Sequence, residues 1–67
     1  MTEVFNVPVP LAARKMNKHV EFLYVGLQQG VFPFGYAVKT SGRYSYYISS
    51  LKFEEYTGIK VEKDEVI

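Results

Sequence analysis

The side chains with the clearest chemical purpose in this sequence are basic, and they are concentrated before Tyr44. Residues 10–43 contain five basic residues and one acid, Glu21, a net charge of +4, whereas residues 44–67 contain three basic and five acidic residues, a net charge of −2. The whole chain carries only +1. One basic face beside an acidic end is typical of a protein that contacts phosphates. The five basic residues are Arg14, Lys15, Lys18, Lys39 and Arg43.

Residues suited to catalysis or metal binding are scarce. The chain has no cysteine, so it has no thiol nucleophile, disulfide or thiolate zinc site. The single histidine, His19, cannot form a multi-histidine metal site, and the sequence places no acid for it. Glu54 and Glu55 fit the exposed face of a helix better than a pocket. We therefore expect no catalytic residue, no metal and no cofactor, and a protein that is not an enzyme.

The length and composition predict one small folded domain. A chain of 67 residues buries a small core, and 48% apolar with 16% aromatic residues is too rich for disorder. The first residues, Met1 to Glu3, carry no basic segment, and no apolar run approaches the roughly 20 residues that span a bilayer. We expect no signal peptide, no membrane association and a cytoplasmic location.

Two helices joined by a tight turn should position most of the basic residues. The first is predicted over about residues 10–16, because Pro10 suits a first helical turn. Asn17 breaks the run and is predicted to be the N-cap of a second helix over about residues 18–29. Gly30 ends that helix in the left-handed conformation, and Gly26 is expected to allow close packing against the first helix. The predicted core stripe of the second helix is Val20, Leu23, Tyr24 and Leu27.

A hairpin is predicted after the two helices. Residues 36–39 and 43–48 have strand-like composition and are joined through Thr40–Ser41–Gly42, a short loop that contains glycine. Two strands alone are marginally stable, so the hairpin must pack on the helices as a wing. Alternation predicts that Tyr44, Tyr46 and Ile48 face inward, and that Arg43, Ser45 and Tyr47 face outward.

The remaining segments flank this unit. A third helix is predicted over residues 50–57, capped by Ser49 or Ser50 and ended by Gly58. Its inward residues are predicted to be Leu51, Phe53 and Tyr56. Residues 59–67 alternate apolar and charged types, which predicts a flexible tail or, alternatively, a strand that pairs with a partner. Residues 3–10 contain two prolines, so they predict an edge strand or an extended lead-in.

This order of elements resembles a known family. It combines a short helix carrying the Ala12–Ala13 pair, a turn, a helix ending at Gly30, an apolar–proline step, a hairpin with a basic turn, and a capped helix. The chain in this respect resembles the small MerR-like winged helix-turn-helix domains of excisionases from phages and integrative elements. The stretch LYVGLQQGVFPFG, residues 23–35, looks especially like short proteins of phages that infect Gram-positive bacteria. The resemblance covers about residues 7–58.

The resemblance implies a fold and a function. The implied fold is α+β, a small winged helix-turn-helix with two N-terminal helices, a two-stranded β-hairpin wing and a third short helix. It places a DNA-binding domain at residues 1–58 and a C-terminal tail at residues 59–67. Members bind double-stranded DNA cooperatively and bend attachment-site DNA so that an integrase or other recombinase favours excision. Other members are small transcriptional regulators, so a phage repressor with the same binding mode is the alternative.

The second helix would enter the major groove. There Lys18 or His19 can donate to guanine N7 or O6, and Phe22 or Val25 can contact a thymine methyl group. Arg43 on the wing would reach the backbone or a narrow minor groove. The predicted DNA-binding residues are Arg14, Lys15, Lys18, His19, Phe22, Val25, Gln28, Lys39 and Arg43.

Each of these assignments has an alternative. Phe22 and Val25 can instead pack beneath the wing, His19 can cap the helix, and Gln28 can serve only as a good helix former. A function of a different class is a protein-interaction module, such as a phage inhibitor or antirepressor. It would use the tyrosine-rich hairpin, with Tyr36 and Tyr47, or strand addition to the tail.

Overall fold

The fold is α+β, as predicted, and is consistent with the layout of a winged helix-turn-helix. In the computed structural model, which describes residues 4–66, α1 is followed by α2, an antiparallel hairpin and α3. Glu3 and Ile67, which two of the predicted segments include, lie outside the described residues. No helix within residues 4–66 has both the length and the apolar character needed to cross a membrane. The elements are α1 Val9–Met16, α2 Val20–Gln29, β1 Gly35–Thr40, β2 Arg43–Ile48, α3 Ser50–Thr57 and a 3₁₀ turn, Lys63–Glu65.

The turn between α1 and α2 differs from the prediction. Asn17 does not cap α2; it is the left-handed C-cap of α1, with φ 57° and ψ 44°, and its backbone N–H donates to the Arg14 carbonyl at 3.1 Å. The N-cap of α2 is His19, whose Nδ1 accepts from the Glu21 backbone N–H at 3.2 Å. The predicted helix start at Lys18 is therefore two residues early. Asparagine is favoured both as an N-cap and in the left-handed region, so its residue type does not separate the two roles.

The core lies between α1, α2, the base of the hairpin and α3. Leu23 and Leu27 of α2 are fully buried, as the predicted stripe requires, while Val20 and Tyr24 are half-buried against them. At 25 cal/mol per Å², such apolar burial is the main stabilising contribution in a domain of this size. The fully buried large side chains are Val7, Leu23, Leu27, Phe34, Ile48 and Phe53.

The glycine inside α2 has a different neighbour from the one predicted. A Cβ atom built on Gly26 would lie 2.8 Å from two carbons of the Phe32 ring and closer still to a third. Gly26 therefore makes room for Phe32, in the loop after α2, instead of for α1. Gly30 ends α2 with φ 71°, as predicted.

The hairpin is one residue tighter than predicted. Thr40 pairs with Arg43, which leaves a two-residue turn at Ser41–Gly42. Both turn residues have positive φ, 51° and 80°, which is the backbone of the type I′ turn that matches strand twist.

The inward and outward positions predicted from alternation along the strands agree only in part with the observed burial. Ile48 is fully buried and Tyr46 is half-buried on the core, as predicted. Tyr44 lies on the same face of the sheet but is 43% exposed. The predicted inward position of Tyr44 is therefore wrong, because alternation fixes the face of a residue and not whether another element covers it. On the other face, Tyr47 is half-buried against Tyr36, with ring centroids 5.5 Å apart.

The N-terminal segment is an extended lead-in with one β-bridge. Asn6 pairs with Ser49, the Val7 N–H donates to the Ile48 carbonyl at 2.8 Å, and the Asn6 Oδ1 accepts from the Ile48 N–H at 3.0 Å. The Phe5 N–H donates to the Ser50 Oγ at 3.0 Å. These bonds fix the end of β2 and the start of α3 to residues 5–7.

Helix α3 has the predicted bounds but a narrower inner face. Ser49 caps it by accepting from the Lys52 N–H at 3.3 Å, and Gly58 ends it with φ 76°. Phe53 is fully buried, whereas Leu51 is 40% and Tyr56 58% exposed. The predicted inward position of Leu51 is therefore wrong. That of Tyr56 is correct only in part, because its ring contacts the buried Phe34, with centroids 5.6 Å apart, while most of the side chain is exposed.

The C-terminal segment packs on the domain, so the prediction of a flexible tail is wrong. Val61 is 5% exposed and belongs to the core, and Ile59 and Val66 are half-buried against it. The 3₁₀ turn has a reciprocal capping box between Glu62 and Glu65. Within the described residues, the folded unit therefore continues past residue 58 to residue 66.

Candidate nucleic-acid interface

The basic residues at the end of α1 have two different environments. Arg14 is exposed, and Asn17 and Lys18 after it are exposed as well. Lys15 is instead half-buried, with its Nζ 2.6 Å from Oε2 of Glu65 in the C-terminal segment. Arg14 is therefore accessible from solvent, whereas Lys15 has an anionic partner within the protein.

The Glu65 carboxylate accepts hydrogen bonds from two donors, the Lys15 ammonium and the Glu62 backbone N–H. The hydrogen bond from Lys15 lowers the pKa of Glu65 below its ordinary value, and the backbone N–H of Glu62, 2.9 Å from Glu65 Oε1, lowers it further. Both groups are partly exposed, so water screens the pair and its contribution to stability is small. A DNA phosphate would have to displace the Glu65 carboxylate to contact Lys15.

The N-terminus of α2 presents a lysine and a histidine. The Lys18 Nζ lies 5.5 Å from the centroid of the Phe22 ring, a cation–π distance. His19 caps the helix through Nδ1, as the alternative interpretation predicted. In the neutral imidazole the proton is then on Nε2, which leaves a donor that is not used by the cap. Both side chains are exposed.

The outward face of α2 is apolar at its centre. Phe22 and Val25 are each 48% exposed. Phe22 does not pack beneath the wing; its ring contacts Phe32, in the loop after α2, at 5.5 Å between centroids and an angle of 57°. These side chains border an open groove of about 390 Å³. The groove is lined by Glu21, Phe22, Val25, Gly26, Gln29, Val31 and Phe32.

Gln28 joins the second helix to the wing. Its Nε2 donates to the hydroxyl of Tyr46 at 2.6 Å, and next to this bond the rings of Tyr24 and Tyr46 lie 4.8 Å apart. One Nε2 hydrogen of the exposed Gln28 amide is thus used within the protein. The hydrogen bond and the ring contact link the hairpin to α2.

The wing carries its two basic residues on opposite faces. Lys39 is paired with Tyr44 and Thr40 with Arg43, and successive pairs of an antiparallel ladder point to opposite sides. Lys39 Nζ lies 5.8 Å from the centroid of the Tyr44 ring. Both Lys39 and Arg43 are exposed and lie beside the turn at residues 41–42. The wing tip can therefore present positive charge to either side.

Besides the Gln28–Tyr46 hydrogen bond, two features of the interface were not predicted. The first is the aromatic loop after α2, where Phe32 stacks on Phe34 with centroids 4.9 Å apart; the run of apolar residues around Pro33 was its only signal. The second is Glu65 beside Lys15. No local pattern indicates that contact, because the two residues are far apart in sequence.

Among residues 4–66 no three His, Cys, Asp or Glu side chains come together as a metal site.

No family model matches this chain, and no curated protein or solved structure matches it either.

Proposed function

We propose that the protein binds double-stranded DNA as a winged helix-turn-helix, with α2 in the major groove and the hairpin against the neighbouring backbone. The observation that carries this proposal is the linked arrangement of three elements. α1 and α2 are joined by a three-residue turn, residues 17–19, and the Gln28–Tyr46 hydrogen bond and the Tyr24–Tyr46 ring contact link the hairpin to α2. A helix-turn-helix with an attached wing can contact two adjacent parts of one duplex.

The charges support contacts to phosphates. Arg14, Lys18, Lys39 and Arg43 are exposed, in the turn region and at the wing tip. Each phosphate that such a residue neutralises releases condensed counterions, so the binding constant falls with salt with a slope of about −0.9 per contact in B-DNA. Four contacts predict a slope of about −3 to −4 in a plot of log K against log salt concentration.

Equilibrium binding of a labelled duplex, measured by fluorescence anisotropy over a range of salt concentrations, tests the proposal. Arg43→Ala should weaken binding to all duplexes and reduce the salt slope by about 1, without unfolding the domain. Lys60→Ala is the matched control, because it removes the same charge from the C-terminal segment, where Lys60 lies 3.9 Å from Glu62. A flat salt response, or an equal loss in both variants, would contradict the proposal.

The finer role that we propose is that of an excisionase, which binds and bends attachment-site DNA and directs an integrase toward excision. The resemblance to excisionase domains supports this role. The packing of Val61 into the core of its own chain also supports it, since the tail is then engaged and does not serve as a dimerisation strand. A monomer that assembles cooperatively on DNA fits both points, and a role on DNA would place the protein in the cytoplasm.

Footprinting on the DNA of the element that encodes the protein separates the two roles within this class. Repeated sites beside an attachment site are expected for an excisionase. Protection of a promoter alone would instead assign a transcriptional repressor with the same binding mode.

A protein-interaction module is the second candidate function, and one observation favours it. The groove beside α2 exposes Phe22, Val25 and Val31, a continuous apolar surface of the kind that protein partners cover. The hairpin face with Tyr36 and Tyr47 also remains accessible, whereas the tail is packed on the core. An inhibitor or antirepressor would bind its protein target without salt-dependent affinity for duplex DNA.

A further inference from the structure

We infer that the outward face of α2 recognises thymine methyl groups in the major groove, through Phe22 and Val25. The inference rests on the proposed DNA binding and adds to it the class of sequence that is bound. Its starting point is the chemistry of the face: the two side chains at its centre are apolar, and each is 48% exposed. Gln28, the polar residue nearest to the wing, is engaged by Tyr46.

The base edges offer one matching group. In the major groove each base pair presents hydrogen-bond donors and acceptors, and the C5-methyl of thymine is the apolar group among them. An aromatic ring placed against donors and acceptors would remove water from them without replacing its hydrogen bonds, which is unfavourable for each unpaired group. Phe22 and Val25 are therefore best accommodated by methyl groups.

The two side chains are held in place before binding. The Phe22 ring is supported on one side by Phe32, at 5.5 Å, and the Lys18 ammonium lies 5.5 Å from its centroid. Val25 is β-branched and has one strongly preferred rotamer in a helix. Residues three apart on a helix have Cβ atoms about 5–6 Å from each other. That spacing lies between one and two base-pair steps of about 3.4 Å, so it suits methyl groups on base pairs one or two steps apart.

The charge at the N-terminal end of α2 favours DNA over a protein as the occupant. Arg14 and Lys18 are exposed there, against one acid, Glu21, which lines the groove. Lys18 can bind a phosphate while its neighbour Phe22 contacts a base. A stable protein interface buries about 800 Å² on each partner. The three exposed side chains of the groove, none more than 61% exposed, offer only a fraction of that area.

Replacing thymine by uracil tests the inference, because it removes the methyl group and leaves every hydrogen-bonding atom in place. The tightest duplex selected from a random pool is synthesised with thymine or with deoxyuridine, and both are titrated with the full chain. We expect affinity to fall about fourfold for each contacted methyl group, with an unchanged salt slope. Val25→Ala should reduce the thymine-to-uracil ratio, and Phe22→Ala should reduce it further.

Val38→Ala is the matched control, since Val38 is 45% exposed on the wing, outside the α2 face. It should leave the thymine-to-uracil ratio unchanged. Equal affinity for the two duplexes, with a steep salt slope retained, would overturn methyl recognition while DNA binding stands. Absence of salt-dependent binding to either duplex would overturn the proposed function, and methyl recognition with it.

Discussion

Replacing Gly26 by alanine should destabilise the protein, although helix propensity alone predicts the reverse. In the interior of a helix alanine is favoured over glycine by about 1 kcal/mol. Here the new methyl group would lie 2.8 Å or less from the Phe32 ring, which is itself stacked on Phe34. Overpacking of this kind costs about 1–3 kcal/mol, and loss of the aromatic pair costs about 0.5–1.5 kcal/mol more. After the gain in helix propensity is subtracted, we expect a net loss of about 0.5–3.5 kcal/mol.

The assay is a double-mutant cycle on the free energy of unfolding, measured by urea denaturation and followed by circular dichroism. In wild type, Gly26→Ala should lower that free energy, with a fall in the melting temperature of about 4–8 °C per kcal/mol. In a Phe32→Ala background the ring is absent, so the same substitution should raise the free energy by up to about 1 kcal/mol. The expected coupling between the two positions is therefore the sum of the loss in wild type and the gain in the variant.

The opposite result would refute the packing of the loop on α2. If Gly26→Ala stabilises the wild-type protein as much as it stabilises the Phe32→Ala variant, the Phe32 ring does not occupy the space above Gly26. The groove beside α2 would then lack the wall that orients Phe22.

Two further substitutions test the core and the Lys15 pair. Leu23→Ala removes a fully buried side chain and should cost about 2–5 kcal/mol, which is enough to unfold a domain of this size at equilibrium; a stable, folded variant would show that the core stripe is misassigned. Glu65→Gln should raise the affinity for duplex DNA by up to about fivefold and steepen the salt slope by about one contact, because Lys15 no longer has an ionic partner. Glu54→Gln, exposed on α3, should do neither.

The sequence predicted the order of elements well because their ends have local signals. α3 has the predicted bounds since a serine cap and a terminal glycine enclose it. The turn before α2 was placed two residues early, since asparagine suits both the N-cap and the left-handed C-cap position. Periodicity also predicted the buried positions Leu23 and Leu27, because a helix packed on one side repeats its core contacts every three to four residues.

Burial at the edges of the domain could not be predicted in this way. Alternation assigned Tyr44 to the inner face of the hairpin, but the strand extends beyond the elements that would cover it. Val61 looked like part of a loose tail, and its burial depends on a surface formed by residues that are distant in sequence.

The candidate site was likewise predicted in its local features and missed in its tertiary contacts. The exposed positions of Arg14, Lys18 and Arg43 agree with the pattern of charge. The partners of Lys15 and Gln28 were missed, because Glu65 and Tyr46 are brought to them only by tertiary packing. Local sequence thus indicated which residues carry charge, while the structure determined which of them are free to contact a duplex.

The central claim is that one surface, formed by α2 and the wing tip, binds DNA. The most direct measurement is a titration of the ¹⁵N-labelled chain with duplex DNA, followed by backbone amide shifts in NMR spectra. We predict that the largest changes occur at residues 18–25 and 39–43, with small changes over α3, Ser50–Thr57. Shifts confined to α3 or to the base of the hairpin around Tyr36 and Tyr47, or no shifts at excess duplex, would contradict the claim.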